Sequence, residues 1–140
     1  MRIAICGSMA FAKEMLETKR SLEKMGHRVA VPGDTEIIAE GKHDPSDAES
    51  NYKHCIETDV VMKCLKEIEK SDAILVLNHP KKGIEGYVGA NTLIEIGLAY
   101  YFGKKIFLLY EPPCLEKSPH THEIQVMRPI VINGDLKKIT

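Results

Sequence analysis

Two short apolar runs, Ala73-Ile-Leu-Val-Leu77 and Ile106-Phe-Leu-Leu-Tyr110, bracket a stretch of helical spacing from Gly89 to Gly103. Apolar runs this short, separated by about a dozen helical residues, read as strand, helix, strand with the two strands parallel. The expected helix carries its own punctuation. Asn91 or Thr92 can cap its start, Gly103 can take the left-handed position past its end, and Lys104 and Lys105 lie beside its negative pole. Glu95 is out of keeping with a buried helix, because Leu93, Ile94, Ile96 and Leu98 surround it.

Glu95 supports two readings. A carboxylate in the first turn, inside an apolar run at the carboxyl end of a parallel sheet, is where α/β enzymes keep reactive groups. Thr92-Leu93-Ile94-Glu95 also has the form of a capping box, in which Glu reaches back to the cap residue's N–H and suits the helix dipole. Spacing leaves both open.

The remainder of the chain extends the same pattern. Arg2–Cys6 reads as a central strand, covered on both faces. After the Gly7-Ser8-Met9 turn, Phe11, Met15, Leu22 and Met25 form the apolar stripe of a helix that Gly26 ends, and His27–Pro32 is a short second strand. Residues 33–58 are polar, with Ile37-Ile38-Ala39 the only helical turn. They are expected as a long loop or lid that brings Tyr52, Lys53 and His54 over the sheet edge, a solvated loop being the alternative. From Thr58, the residues Val61, Cys64, Leu65 and Ile68 recur at helical spacing until Ser71-Asp72. A glycine-punctuated loop, Asn78–Gly89, leads into the Glu95 helix. A short helix near His120–Met127 and a fifth strand at Pro129–Asn133 follow. The expectation is a single α/β domain over residues 1–140, a three-layer Rossmann-like or flavodoxin-like fold. Its five-stranded parallel sheet should run in the order 2-1-3-4-5, because crossovers are short and right-handed. Gly7-Ser8, Asn78-His79 and the Glu95 helix then converge on one crevice at the switch point between strands one and three.

Composition limits the partners. A hydrophobic content of 44%, a charged content of 28% and a net charge of −1 over 140 residues suit one soluble domain. They argue against a general binder of nucleic acid or membrane surfaces. No apolar run approaches a membrane span, and a strand beginning at Arg2 leaves no room for a signal peptide, so the expected location is the cytoplasm. Cys6, Cys55, Cys64 and Cys114 form no C-x-x-C pair and are expected as reduced thiols.

Gly7-Ser8-Met9 offers backbone N–H groups and a hydroxyl at a helix start, which suits an anion, although a tight turn has the same sequence. It is neither G-x-G-x-x-G nor a Walker sequence, so no dinucleotide or other cofactor is expected. No metal is expected either: His120 and His122 are two apart and His54-Cys55 are adjacent, neither a zinc spacing. Ser8 lies in no G-x-S-x-G elbow.

Cys6-Gly-Ser, Lys70-Ser-Asp-Ala-Ile-Leu-Val-Leu77, and Asn91-Thr-Leu-Ile-Glu-Ile-Gly-Leu-Ala99 with Gly103-Lys-Lys-Ile-Phe-Leu-Leu109 together resemble the nucleoside 2-deoxyribosyltransferase superfamily, which includes the 2′-deoxynucleoside 5′-monophosphate N-glycosidases. The resemblance covers nearly the whole domain in order. It implies that Glu95 attacks the anomeric carbon and that Gly7-Ser8 holds the sugar or its 5′-phosphate. Gly7, Ser8, Met9, Asn78, Gly89 and Asn91 are the expected substrate-binding residues. The implied function is an N-ribosyl-bond enzyme, hydrolase or transferase, acting on a nucleoside or nucleoside 5′-monophosphate through a glycosyl-enzyme intermediate. Several positions depart from the pattern. Gly89 stands where many transferases have an acidic residue and the glycosidases often have serine. Cys64 stands where both groups have an aspartate, Asp72 matches only a structural aspartate, and Ala4-Ile5 replaces the usual tyrosine. The nucleophile is matched and its general acid is not, so the alternative is a non-catalytic nucleotide-binding or sensor protein. The implied partner is a small nucleoside or nucleotide, with no nucleic acid and no membrane. Relatives complete their sites across subunit interfaces, which implies a homodimer or higher homo-oligomer using the segment near Gln125–Met127.

Overall fold

The computed structural model describes residues Met1–Thr140. Its strands are β1 (Arg2–Gly7), β2 (Arg28–Ala30), β3 (Ala73–Leu77), β4 (Lys105–Leu108) and β5 (Ile130–Val131). They form one parallel sheet in the order β2-β1-β3-β4-β5, the order expected from the short crossovers. The helices are α1 (Ala12–Lys24), α2 (Thr35–Ala39), α3 (Ala48–Thr58), α4 (Val60–Lys70), α5 (Ala90–Tyr101) and α6 (Thr121–Val126).

Successive strand residues point to opposite faces, so each unbroken apolar run feeds two cores. Ile3, Ile5, Leu75, Leu77 and Phe107 pack with Met15 and Leu22 of α1 on one face. Ala4, Cys6, Ile74, Val76, Ile106 and Leu108 pack on the other with Ile68 of α4, Ile96 and Ala99 of α5, and Ile124 of α6. Every residue of β3 is buried. Each full-sized side chain buried this way contributes roughly 1.5–3 kcal/mol. A one-residue slip of β3 would exchange its two faces, and the in-step pairing of Ala4 with Ile74 and Ile74 with Ile106 prevents it.

At the end of β1, Gly7 has φ +150°, and a Cβ there would come within 2.9 Å of the Leu77 carbonyl of β3. Glycine lets β1 run tight against β3 to its last residue and then turn outward. Ser8 is thereby placed at the carboxyl edge, where the chain leaves β1 for α1 and later returns to β3. At the far end of α5, Gly103 takes the left-handed conformation expected of it, with φ +65°.

Two expectations are corrected. Residues 33–58 are not mostly loop: they contain α2 and the three-turn α3. The pattern missed α3 because none of its residues is buried, so it has no apolar stripe to read. Its mark in the sequence is a cap, since Asp47 accepts a hydrogen bond from the Ser50 N–H. The second correction concerns the start of α5. Gly89 is its cap, not Asn91 or Thr92, and no side chain caps it. Thr92 therefore lies within the helix, Glu95 lies in its second turn, and the capping box does not form.

Candidate active site

The carboxyl ends of β1, β2 and β3 open onto a cavity of about 410 Å³. Gly7, Ser8 and Met9 line it from β1, Asp34 from the end of β2, and Lys81 and Tyr87 from the loop after β3. Gly89, Asn91 and Glu95 line it from α5, and Asn51 and Cys55 from α3, which lies over the mouth. Six of the seven residues expected at the site thus share one cavity.

Asn78 is the exception. It is fully buried. Its Nδ2 donates to the Tyr110 carbonyl at 2.8 Å, and its Oδ1 accepts from the Tyr110 N–H at 2.9 Å. Both halves of the amide tie the end of β3 to the chain leaving β4, so the side chain is absent from the cavity wall. Its neighbour His79 is wedged between the rings of Phe11 and Tyr110 and also faces away.

Glu95 is 4% exposed and belongs to the face of α5 that buries Thr92, Ile96 and Ala99. Asn91, one turn earlier, donates Nδ2–H to Oε1 at 3.1 Å. No cation pairs with the carboxylate. Burial therefore pushes its pKa up to about 7, with the adjacent Cys6 thiol pulling weakly the other way. The same desolvation, with the Glu95 charge added, raises Cys6 well above the ordinary thiol range and takes Cys64 to about 12. Cys64, like Glu95, also borders a second cavity of about 470 Å³ on the α4 side.

The cavity wall also carries a cation. Lys81 donates to the Ser8 hydroxyl at 2.7 Å and lies 5.1 Å from the Tyr87 ring centroid. Burial, followed by the neighbouring Lys82, holds its pKa below the usual lysine value. It forms no ion pair. The uncapped amino terminus of α5 adds unsatisfied N–H groups at Ala90, Asn91 and Thr92, all on the cavity wall. Sequence reasoning missed Lys81. Its only mark was its place in a glycine-punctuated loop at the carboxyl end of a strand.

Of the residues expected on the lid, one turns inward. Tyr52 is 71% exposed and Lys53 reaches only toward Glu57 on the outer face. His54 Nε2 lies 2.9 Å from Asp34 Oδ1, and the His54 ring stacks on His43 at 4.4 Å. His43 Nε2 in turn lies 3.0 Å from Asn51 Oδ1. No three His, Cys, Asp or Glu side chains gather as a set that could hold a metal ion.

Fold and site together define a doubly wound α/β domain with a desolvated carboxylate on the floor of its switch-point cavity. No protein-family model matches the chain, and no curated protein matches it. Among solved structures, it aligns with the 2-deoxyribosyltransferase of Bacillus psychrosaccharolyticus over 77% of its own length and 71% of that chain, with a TM-score of 0.53 and 19% identity. The CMP N-glycosidase of Clostridium botulinum aligns over 95% and 90% of the two chains, with a TM-score of 0.49 and 23% identity. A conserved protein from Enterococcus faecalis aligns over 94% and 90%, with a TM-score of 0.49 and 17% identity. The chain has the fold of the 2-deoxyribosyltransferase. At these identities the likeness is one of fold.

Proposed function

We propose that this protein breaks the N-glycosidic bond of a nucleoside or nucleoside 5′-monophosphate, with Glu95 as nucleophile. One observation carries the proposal: a carboxylate 4% exposed, without a cationic partner, faces a cavity large enough for a nucleotide. A buried carboxylate held this way costs stability, and such groups gather where chemistry needs them. The likeness in fold to a 2-deoxyribosyltransferase supports the same substrate class.

Two displacements at one carbon make up the proposed reaction. The Glu95 carboxylate attacks the anomeric carbon from the face opposite the base, the C–N bond breaks, and its electron pair leaves with the base nitrogen, which takes up a proton. Water or a second base then attacks the same carbon and displaces Glu95. The Asn91 amide holds Oε1 in place and leaves Oε2 for attack. Lys81, the Ser8 hydroxyl and the N–H groups opening α5 suit a 5′-phosphate. We include in the proposal a cytoplasmic location, supported by four unpaired cysteines, and assembly as a homodimer or larger homo-oligomer. Ile94 and Tyr101, exposed on the outer face of α5, support the assembly.

Cys64 favours a second reading, a nucleotide-binding protein without catalysis, because a thiol with a pKa of about 12 is a poor proton donor. Incubation with a panel of nucleosides and 5′-monophosphates separates the two. Release of free base is expected, and Glu95→Gln should lower it by about four orders of magnitude or more while ligand binding survives. Binding without base release from any member would leave the second reading standing.

A further inference from the structure

The cavity contains a carboxylate positioned to attack but no obvious acid for the leaving base. Its titratable lining residues are Asp34, Cys55, Cys64, Lys81, Tyr87 and Glu95. Lys81 is bonded to the Ser8 hydroxyl and packs over the Tyr87 ring, where it suits an anion. Burial leaves both thiols weaker acids than a free cysteine. Glu95 is committed as nucleophile. Asp34 remains, supplied by the end of β2 and covered by α3.

We propose that Asp34, held by His54, is the proton donor to the departing base. The inference rests on the proposed role of Glu95. Asp34 Oδ1 is taken by His54 at 2.9 Å, whereas Oδ2 bonds to no protein group and caps no helix. The side chains of Asp34 and His54 are 13% and 24% exposed, so the pair is shielded without being sealed. Behind it, His43 stacks on the His54 ring and is itself fixed by Asn51. A base held in place by a third group is the arrangement that proton-transferring pairs require. Asp34 is the catalytic residue of the two, and His54 positions it.

The proton balance closes. The donor is the Asp34 Oδ2–H, with Oδ1 accepting the His54 Nε2–H. As the C–N bond breaks and its electrons go to the base nitrogen, the Oδ2 proton passes to the base, and the carboxylate left behind keeps its His54 bond. When water attacks the anomeric carbon, one of its protons returns to Oδ2 and the ester electrons return to Glu95. Without the lid, the donor would lose its partner, which gives α3 a reason to fold over the mouth despite burying none of its own residues.

The test compares leaving groups. Wild type, Asp34→Asn and His54→Asn are assayed for release of nucleobase from the substrate found in the panel. They are then assayed for release of p-nitrophenolate from the matching p-nitrophenyl 2-deoxyriboside, which departs without being protonated. Asp34→Asn should lose roughly 100-fold or more on the nucleobase substrate and far less on the p-nitrophenyl substrate. His54→Asn should lose less than Asp34→Asn but show the same contrast, which a purely structural role would not produce. An equal loss on both substrates in both variants overturns the donor assignment and leaves Glu95 as nucleophile. A wild type that releases neither product overturns the N-glycosidic reading itself, and the donor with it. Retained p-nitrophenolate release shows that a variant has folded.

Discussion

Glu95 was conspicuous in the sequence because a charge inside Leu93-Ile-Glu-Ile-Gly-Leu98 has no place in a core. What spacing left open was its role, and the choice of α5 cap removes the capping reading. With Gly89 as cap, Glu95 is a turn too late for a capping box, and its carboxylate faces the cavity. The role of Asn78 was open for a related reason, since a buried amide and a ligand-binding amide look alike until their partners are seen. Lys81 could not have been singled out at all, because loop lysines are commonplace. The raised Glu95 pKa yields a stability prediction. Between about pH 4.5 and 7 the folded protein keeps a proton that the unfolded chain has released, so stability falls as pH rises through that window. The full cost above pH 7 is roughly 3 kcal/mol. Glu95→Gln removes that cost while still accepting the Asn91 bond. Thermal melts should therefore show the variant roughly 10 °C more stable at pH 8.5 and equal to wild type near pH 4. A variant no more stable than wild type at high pH would mean that the carboxylate is hydrated in solution.

At the scale of elements, β1, β3, β4 and the α1, α4 and α5 helices were legible because each buries apolar side chains, and burial is what periodicity records. α3 was not, because it buries none, and its Asp47 cap, polar contacts through His54 and Asn51, and the packing of His54 on His43 hold it. Asp59, left-handed with φ 51°, separates it from α4. A helix with so little packing has a low cost of local opening. Hydrogen exchange should show α3 amides exchanging far ahead of those in β1, β3 and α5. Asp47→Ala, which removes a cap worth about 1 kcal/mol, should speed α3 exchange about fivefold while leaving β3 exchange unchanged. Equal protection of α3 and β3 would show that the lid is held by contacts beyond these.

For the molecule as a whole, the strand order was legible because short crossovers leave few topologies, and that order brings the ends of three strands to one cavity. The charge layout within the cavity was not, because Lys81, Ser8 and the start of α5 are far apart in sequence and meet only on folding. The cavity consequently holds both a cation and a desolvated carboxylate, a combination that suits a ligand with an anionic group and a separate reactive carbon. A ligand that binds only the folded state at a hundredfold excess over Kd adds about 2.7 kcal/mol of stability. In the Glu95→Gln protein, where substrate is not consumed, a 5′-monophosphate should raise Tm more than the matching nucleoside at equal concentration. Lys81→Gln should remove most of that difference, because the cation acts on the phosphate and not on the base or sugar. The nucleoside's own shift should barely change. If monophosphate and nucleoside raise Tm equally in the presence of Lys81, Lys81 does not bind phosphate, and the substrate is the free nucleoside.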